Sequence, residues 1–180
     1  WHRLYLFWVD ERCVPHTDEA SNFGAARRDF LESVDIPRDH IHPMPTEPGS
    51  TEAAQAYAGE IERTVPKNHR GMPCFDIVFL GIGEDGHTAS LFPNHDAPAE
   101  EVRWIIPVRG GQPFVDRYTM TLPVLNAAKQ VIFLVSGTPK ATMVKEILDS
   151  GTKRSLPARQ VRPTSGSVTW MLDKHAASRL

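Results

Sequence analysis

The chain has 180 residues, a formal charge of −2 and a pI near 6.5, so electrostatics give no reason to expect nucleic acid or an anionic membrane as partner. An apolar share of 41% and a charged share of 23% are ordinary for a globular protein, and the length suits one domain with one core. No apolar run approaches a membrane span, no signal-peptide pattern is seen, and Cys13 and Cys74 are too few for a disulfide framework or zinc site, so a reducing cytoplasm is the expected setting.

In chain order, "LYLFWV" at 4–9 reads as a buried central strand that ends in "DERCVP", stopped by Pro15. Phe23, Ala26, Phe30, Leu31 and Val34 recur at roughly helical spacing behind Asp18 or Ser21 as cap. The proline-dense stretch "IPRDHIHPMPTEPGS" predicts a surface connection with at most a short strand at Ile41–His42. A helix is expected from about Thr51 to Thr64, with Ala54, Tyr57, Ala58 and Ile61 on one face and Glu52 near its positive end.

"DIVFL" at 76–80 is a β-branched and aromatic run of the kind that fills the centre of a parallel sheet. It runs into "GIGEDGHTASLFP", where Thr88–Phe92 has the look of a helix start. "VRWIIPV" at 102–108 and "QVIFLVSG" at 130–137 are further strands, and "RYTMTLPVLNAA" a strand or turn entering a short helix. "TPKATMVKEILDS" is a helix with Pro139 in its first turn, and "SVTWMLDKHAA" a short strand with a helical end. Strands alternating with helices predict a three-layer α/β fold with a mostly parallel central sheet.

Open α/β sheets place ligands at the carboxyl ends of their strands, which is where the chemistry-bearing residues of this chain cluster. His87 leads them, because an unperturbed imidazole titrates near 6.5 and serves as a base at neutral pH. Asp85 is placed either to orient that imidazole or to cap the helix expected at Thr88; Glu84 reads as a solvated acid. Gly81, Gly83 and Gly86 let the backbone turn sharply and keep the approach open. Arg12, at the end of the first strand, suits bidentate recognition of phosphate or carboxylate, unless it merely pairs with a neighbouring acid. Lys140 opposes the positive end of its own helix, a position easier to explain if it faces a phosphate, and Arg117 is a weaker cation of the same type. The histidines of "HIH" at 40–42 lack a third ligand, so no metal is expected. "GIGEDG" lacks the downstream acid of a dinucleotide site, and Ser90 is not in a nucleophile-elbow pattern.

Taken together, "WVDERCVP", "SNFGAAR", "IHPMP", "FDIVFLGIGEDGHTASLFP", "RYTMTLPVLNAA", "VSGTPKA" and "VTWML" closely resemble the 6-phosphogluconolactonase family across nearly the whole chain. The resemblance implies a Rossmann-like sheet and hydrolysis of 6-phospho-D-glucono-1,5-lactone to 6-phosphogluconate in the oxidative pentose phosphate pathway. It further implies His87 as base, with no metal or organic cofactor. Members of that family carry a further N-terminal portion with a serine-glycine-glycine phosphate loop ahead of the strand matching "LYLFWV". The expectation is therefore one domain, residues 1–180, shortened at its N-terminus, with an upstream segment or domain as an alternative source of that loop. Two other readings stay open: a sugar-phosphate deaminase or isomerase of the same superfamily, and a non-catalytic sugar-phosphate-binding fragment.

Overall fold

The structure, a computed structural model, describes residues 1–149, 151 and 154–180. Among the described residues, eight strands fall into three sheets. β1 (Leu6–Phe7) pairs in parallel with β3 (Ile41–His42). β2 (Asp10–Arg12), β6 (Val115–Met120) and β5 (Ile105–Gly110) form an antiparallel sheet in that order. β4 (Ile77–Leu80), β7 (Gln130–Val135) and β8 (Ser167–Leu172) form a parallel one.

The α-helices described between them are α1 (Asn22–Asp29), α2 (Thr51–Thr64), α3 (Leu122–Leu125), α4 (Ala141–Leu148) and α5 (Pro157–Gln160). Ser21 caps α1, its hydroxyl accepting from Gly24 N at 2.9 Å, and Ser50 caps α2, accepting from Ala53 N at 3.0 Å. α2 buries Ala54, Tyr57 and Ile61, the stripe expected from their spacing. α4 buries Met143, Val144 and Ile147 and stops before the expected end at Ser150, which lies outside the described residues.

Four expectations need correction. The run at 4–9 is not one central strand: β1 and β2 join different sheets. The cause is Tyr57, whose hydroxyl accepts from Trp8 N at 3.0 Å and donates toward the carbonyls of Trp8 and His42, diverting the backbone from any ladder at that point. "DIVFL" forms β4, at the edge of its sheet, with β7 in the centre. Thr88–Phe92 is not helical. Ala89 takes φ +49° and Leu91 N donates to Thr88 O at 2.9 Å, so the chain folds back on itself. Residues 173–180 form turns and no regular helix: Asp173 accepts from Ala176 N at 2.7 Å as a cap would, but after Ala177 the backbone bonds reach back only three residues, from Ser178 N to His175 O and from Leu180 N to Ala177 O.

The core joins one face of the parallel sheet to the antiparallel sheet, α2 and α4. Val78, Leu80, Val131, Phe133 and Val135 point into it. The other face carries Ile77, Phe79, Ile132, Leu134 and Met171, and of these Ile77, Phe79, Leu134 and Met171 are at least half exposed. Parallel sheets are ordinarily clothed on both faces. A cavity of about 680 Å³ lies between residues 3–10 and 74–79, with Met120 in its wall.

Candidate active site

β4 delivers the chain to Gly81, and the loop that follows is shaped around an imidazole. Gly83 N donates to His87 O at 2.8 Å and Gly86 N to Gly83 O at 3.1 Å, closing a tight turn. A Cβ on Gly83 would stand 2.1 Å from His87 Nδ1 and 2.5 Å from Asp85 Oδ1, so the ring occupies the space a side chain would take. Gly86 adopts φ +88°, and a Cβ there would press on Leu156 at 2.8 Å. Gly81 is different: its nearest obstacle is Leu134 O at 4.0 Å, so sterics alone do not require glycine there.

His87 Nδ1 lies 2.6 Å from Asp85 Oδ1, and the same oxygen accepts from His87 N at 3.1 Å. A carboxylate only accepts, so Nδ1 carries the proton and Nε2 the lone pair. Nε2 makes no hydrogen bond among the described residues, and a third of the side chain is open to solvent. Partial burial pulls the Asp85 carboxyl upward, but hydrogen bonds from His87 backbone and ring outweigh it and hold its pKa below the usual carboxylate value. Asp85 thus stays ionised and orients the ring; with no helix at Thr88, the capping role has nothing to act on. Glu84 is exposed, as expected.

The β2–β6 register places Arg12 directly opposite Arg117. Arg12 forms no ion pair with its neighbouring acids; Nη1 donates to Ala20 O at 2.7 Å and Asn22 Oδ1 at 2.8 Å, while the buried Nε has no hydrogen-bond partner among the described residues. Arg117 is buried, its Nε donating to Gly110 O at 2.9 Å and its Nη2 to Pro113 O at 3.1 Å. Desolvation, then the neighbouring Arg12 charge, lowers the Arg117 pKa. Two guanidiniums side by side repel, and an anion between them relieves that repulsion. Lys140 follows β7 at the same carboxyl edge of the sheet as Gly81, half-buried; its backbone N donates to Gly137 O at 3.1 Å, while its ammonium makes no hydrogen bond or ion pair among the described residues. No hydrogen bond joins its side chain to Arg12 or Arg117, whose bonds go to other groups.

Sequence reading missed three residues that assemble this site. Asp10 Oδ2 accepts from Ser90 Oγ at 2.6 Å, tying the end of β2 to the histidine loop. Burial raises the Asp10 pKa against the hydrogen bond from Ser90 and the charges of Arg12 and Arg117. Phe92 packs on His87 with ring centroids 4.9 Å apart. Nothing in the spacing of residues 10, 90 and 92 announces these contacts, which depend on the fold-back at Ala89. Glu11, fully buried, accepts from the backbone N–H of Arg12 at 2.8 Å, Asn22 at 2.7 Å and Phe23 at 2.7 Å, and from Ser21 Oγ at 3.1 Å. It locks β2 to the start of α1. Among the described residues no group of three His, Cys, Asp or Glu side chains is arranged to hold a metal ion, and His42 instead pairs with Glu60 at 2.7 Å. No helix of the described residues is long and apolar enough to cross a membrane.

Comparison with known proteins bears on this arrangement. The family described as glucosamine-6-phosphate isomerases/6-phosphogluconolactonase matches residues 1–170. A 6-phosphogluconolactonase of Synechocystis is 39% identical, over 100% of this chain and 75% of its own length. The human 6-phosphogluconolactonase is 38% identical, over 99% of this chain and 69% of its own. The solved structure of 6-phosphogluconolactonase from Trypanosoma cruzi superimposes with a TM-score of 0.87 at 32% identity, covering 98% of this chain and 72% of that one. On this evidence the chain belongs to the glucosamine-6-phosphate isomerase/6-phosphogluconolactonase family.

Proposed function

We propose that the chain hydrolyses 6-phospho-D-glucono-1,5-lactone to 6-phosphogluconate, a step of the oxidative pentose phosphate pathway, as its relatives' names indicate for them. The observation that carries the reading is His87: Nδ1 held by Asp85 at 2.6 Å, Nε2 unbonded, and a pair of guanidiniums on the adjoining β2–β6 ladder. A lactone is an activated ester, so a positioned water suffices as nucleophile. His87 Nε2 takes a proton from that water as its oxygen bonds to the ring carbonyl carbon. Asp85 stabilises the imidazolium that forms. When the tetrahedral intermediate collapses, the bond from that carbon to the ring oxygen breaks, and Nε2–H returns the proton to the departing oxygen. Arg12 and Arg117 hold the 6-phosphate, with Lys140 closing on it from the β7 edge, and so set the distance from carbonyl to base. No step calls for a metal or organic cofactor. The activity belongs to a reducing cytoplasm, where Cys13 and Cys74 remain free thiols.

The test is the rate of 6-phosphogluconolactone hydrolysis above the spontaneous background, for the chain and for His87→Ala. The variant is expected to lose ~10²–10⁴ in rate. An undiminished rate in His87→Ala removes His87 as base. Turnover of glucosamine 6-phosphate without lactone hydrolysis would place the chain on the isomerase side of its family.

A further inference from the structure

Phe92 touches both halves of the site. Its ring is 8% exposed. On one side lies the His87 imidazole, centroids 4.9 Å apart and planes at 58°; on another lies Arg117, whose Cζ stands 5.8 Å from the Phe92 centroid. The turn between β5 and β6 is cut away to admit this ring. A Cβ on Gly110 would stand 3.1 Å from two of its carbons. One on Gly111 would stand 2.9 Å from its tip and 2.7 Å from Arg117 Nη2. The loop is bent to deliver it: Ala89 takes φ +49°, and Ser90 is anchored on Asp10 at 2.6 Å. Strained backbone, two bare glycines and a part-buried hydrogen bond all serve the placement of one apolar ring beside the base.

A single hydrogen bond at Nδ1 fixes one atom of an imidazole and leaves the ring free to tilt about it. The Gly83 backbone bounds that tilt from one direction, and Phe92 is the wall on another. We propose that Phe92 is a positioning residue for the hydrolysis. It sets the angle of the His87 ring, and it transmits the anchoring of Arg117 by the substrate's phosphate to the base. The proposal rests on the reading of His87 as general base and of Arg117 as phosphate ligand. It deepens that reading by making phosphate binding part of the alignment of the base.

A merely structural phenylalanine and a positioning one differ in what they do to turnover. The experiment measures kcat and KM for 6-phosphogluconolactone with the chain, Phe92→Leu, Phe92→Tyr and His87→Ala, with folding of each followed by near-UV circular dichroism. A base displaced by about 1 Å costs ~10- to 100-fold, and Phe92→Leu is expected to lose that much in kcat with KM within about twofold. Phe92→Tyr keeps the ring and is expected to retain kcat. If Phe92→Leu does not fold, Phe92→Met takes its place with the same expectation. A folded ringless variant with the parent's kcat, or one that raises KM alone, overturns the proposal. His87→Ala inactive beside an unimpaired Phe92→Leu overturns the proposal but spares the base; His87→Ala at the parent's rate overturns both.

Discussion

The parallel sheet β4–β7–β8 has two faces of similar chemistry and opposite fate. Val78, Leu80, Val131, Phe133 and Val135 meet the rest of the core, and Phe133 stacks on Trp170 with centroids 4.1 Å apart. Ile77, Phe79, Leu134 and Met171, one residue out of step along the same strands, are at least half exposed. Their hydrophobicity does not separate the two sets; what packs against each face does. Strand alternation decides which residues share a face, but the sequence of a strand apolar on both faces says nothing about which face is covered.

That contrast is open to direct attack through stability, measured by urea unfolding. Phe133→Ala empties a fully buried site and is expected to cost about 3–5 kcal/mol, with an unchanged m-value. Glu11→Gln comes next. It leaves four donors facing a neutral amide in a buried pocket, for about 2–4 kcal/mol. Glu100→Gln should cost about 1 kcal/mol at neutral pH, because the carboxylate is partly open to solvent. The N–H groups of Arg103 and Val102 hold its pKa at about 2, against an ordinary 4.5. A depressed carboxyl stabilises the fold above the unfolded pKa and loses that contribution as pH falls through the folded one. The parent and Glu100→Gln therefore converge between about pH 4.5 and pH 2. Phe79→Thr, on the bare face, should cost no more than about 0.5 kcal/mol. A Phe79→Thr cost comparable to that of Phe133→Ala would mean that the face is covered in solution, and the contrast would fail.

How much of this was legible in the sequence follows from the range of the interactions involved. α2 was legible, because Glu52 and the Ala54–Tyr57–Ile61 stripe are local signals. The pairing of Asp85 with His87 was likewise within reach, since they stand two positions apart. The split of residues 4–9 between two sheets was not, because Tyr57 causes it from 49 positions away. Arg12 and Arg117 were each picked out as cations, yet their adjacency is a property of antiparallel register that only the sheet reveals. The fold-back at Ala89 defeated the helix expectation for the same reason. Its hold is Ser90 on Asp10, 80 residues distant.

That separation has a kinetic meaning. The Glu11 cap on α1 closes a loop of 12 residues at most, whereas the Asp10–Ser90 bond must wait until 80 residues have found their places. Short closures form readily and long ones late, because chain entropy opposes them first. The strand at residues 10–12 is thus expected to acquire its helix early and its histidine loop last. In a refolding experiment far-UV ellipticity would recover before lactone hydrolysis, and simultaneous recovery of both would contradict that order.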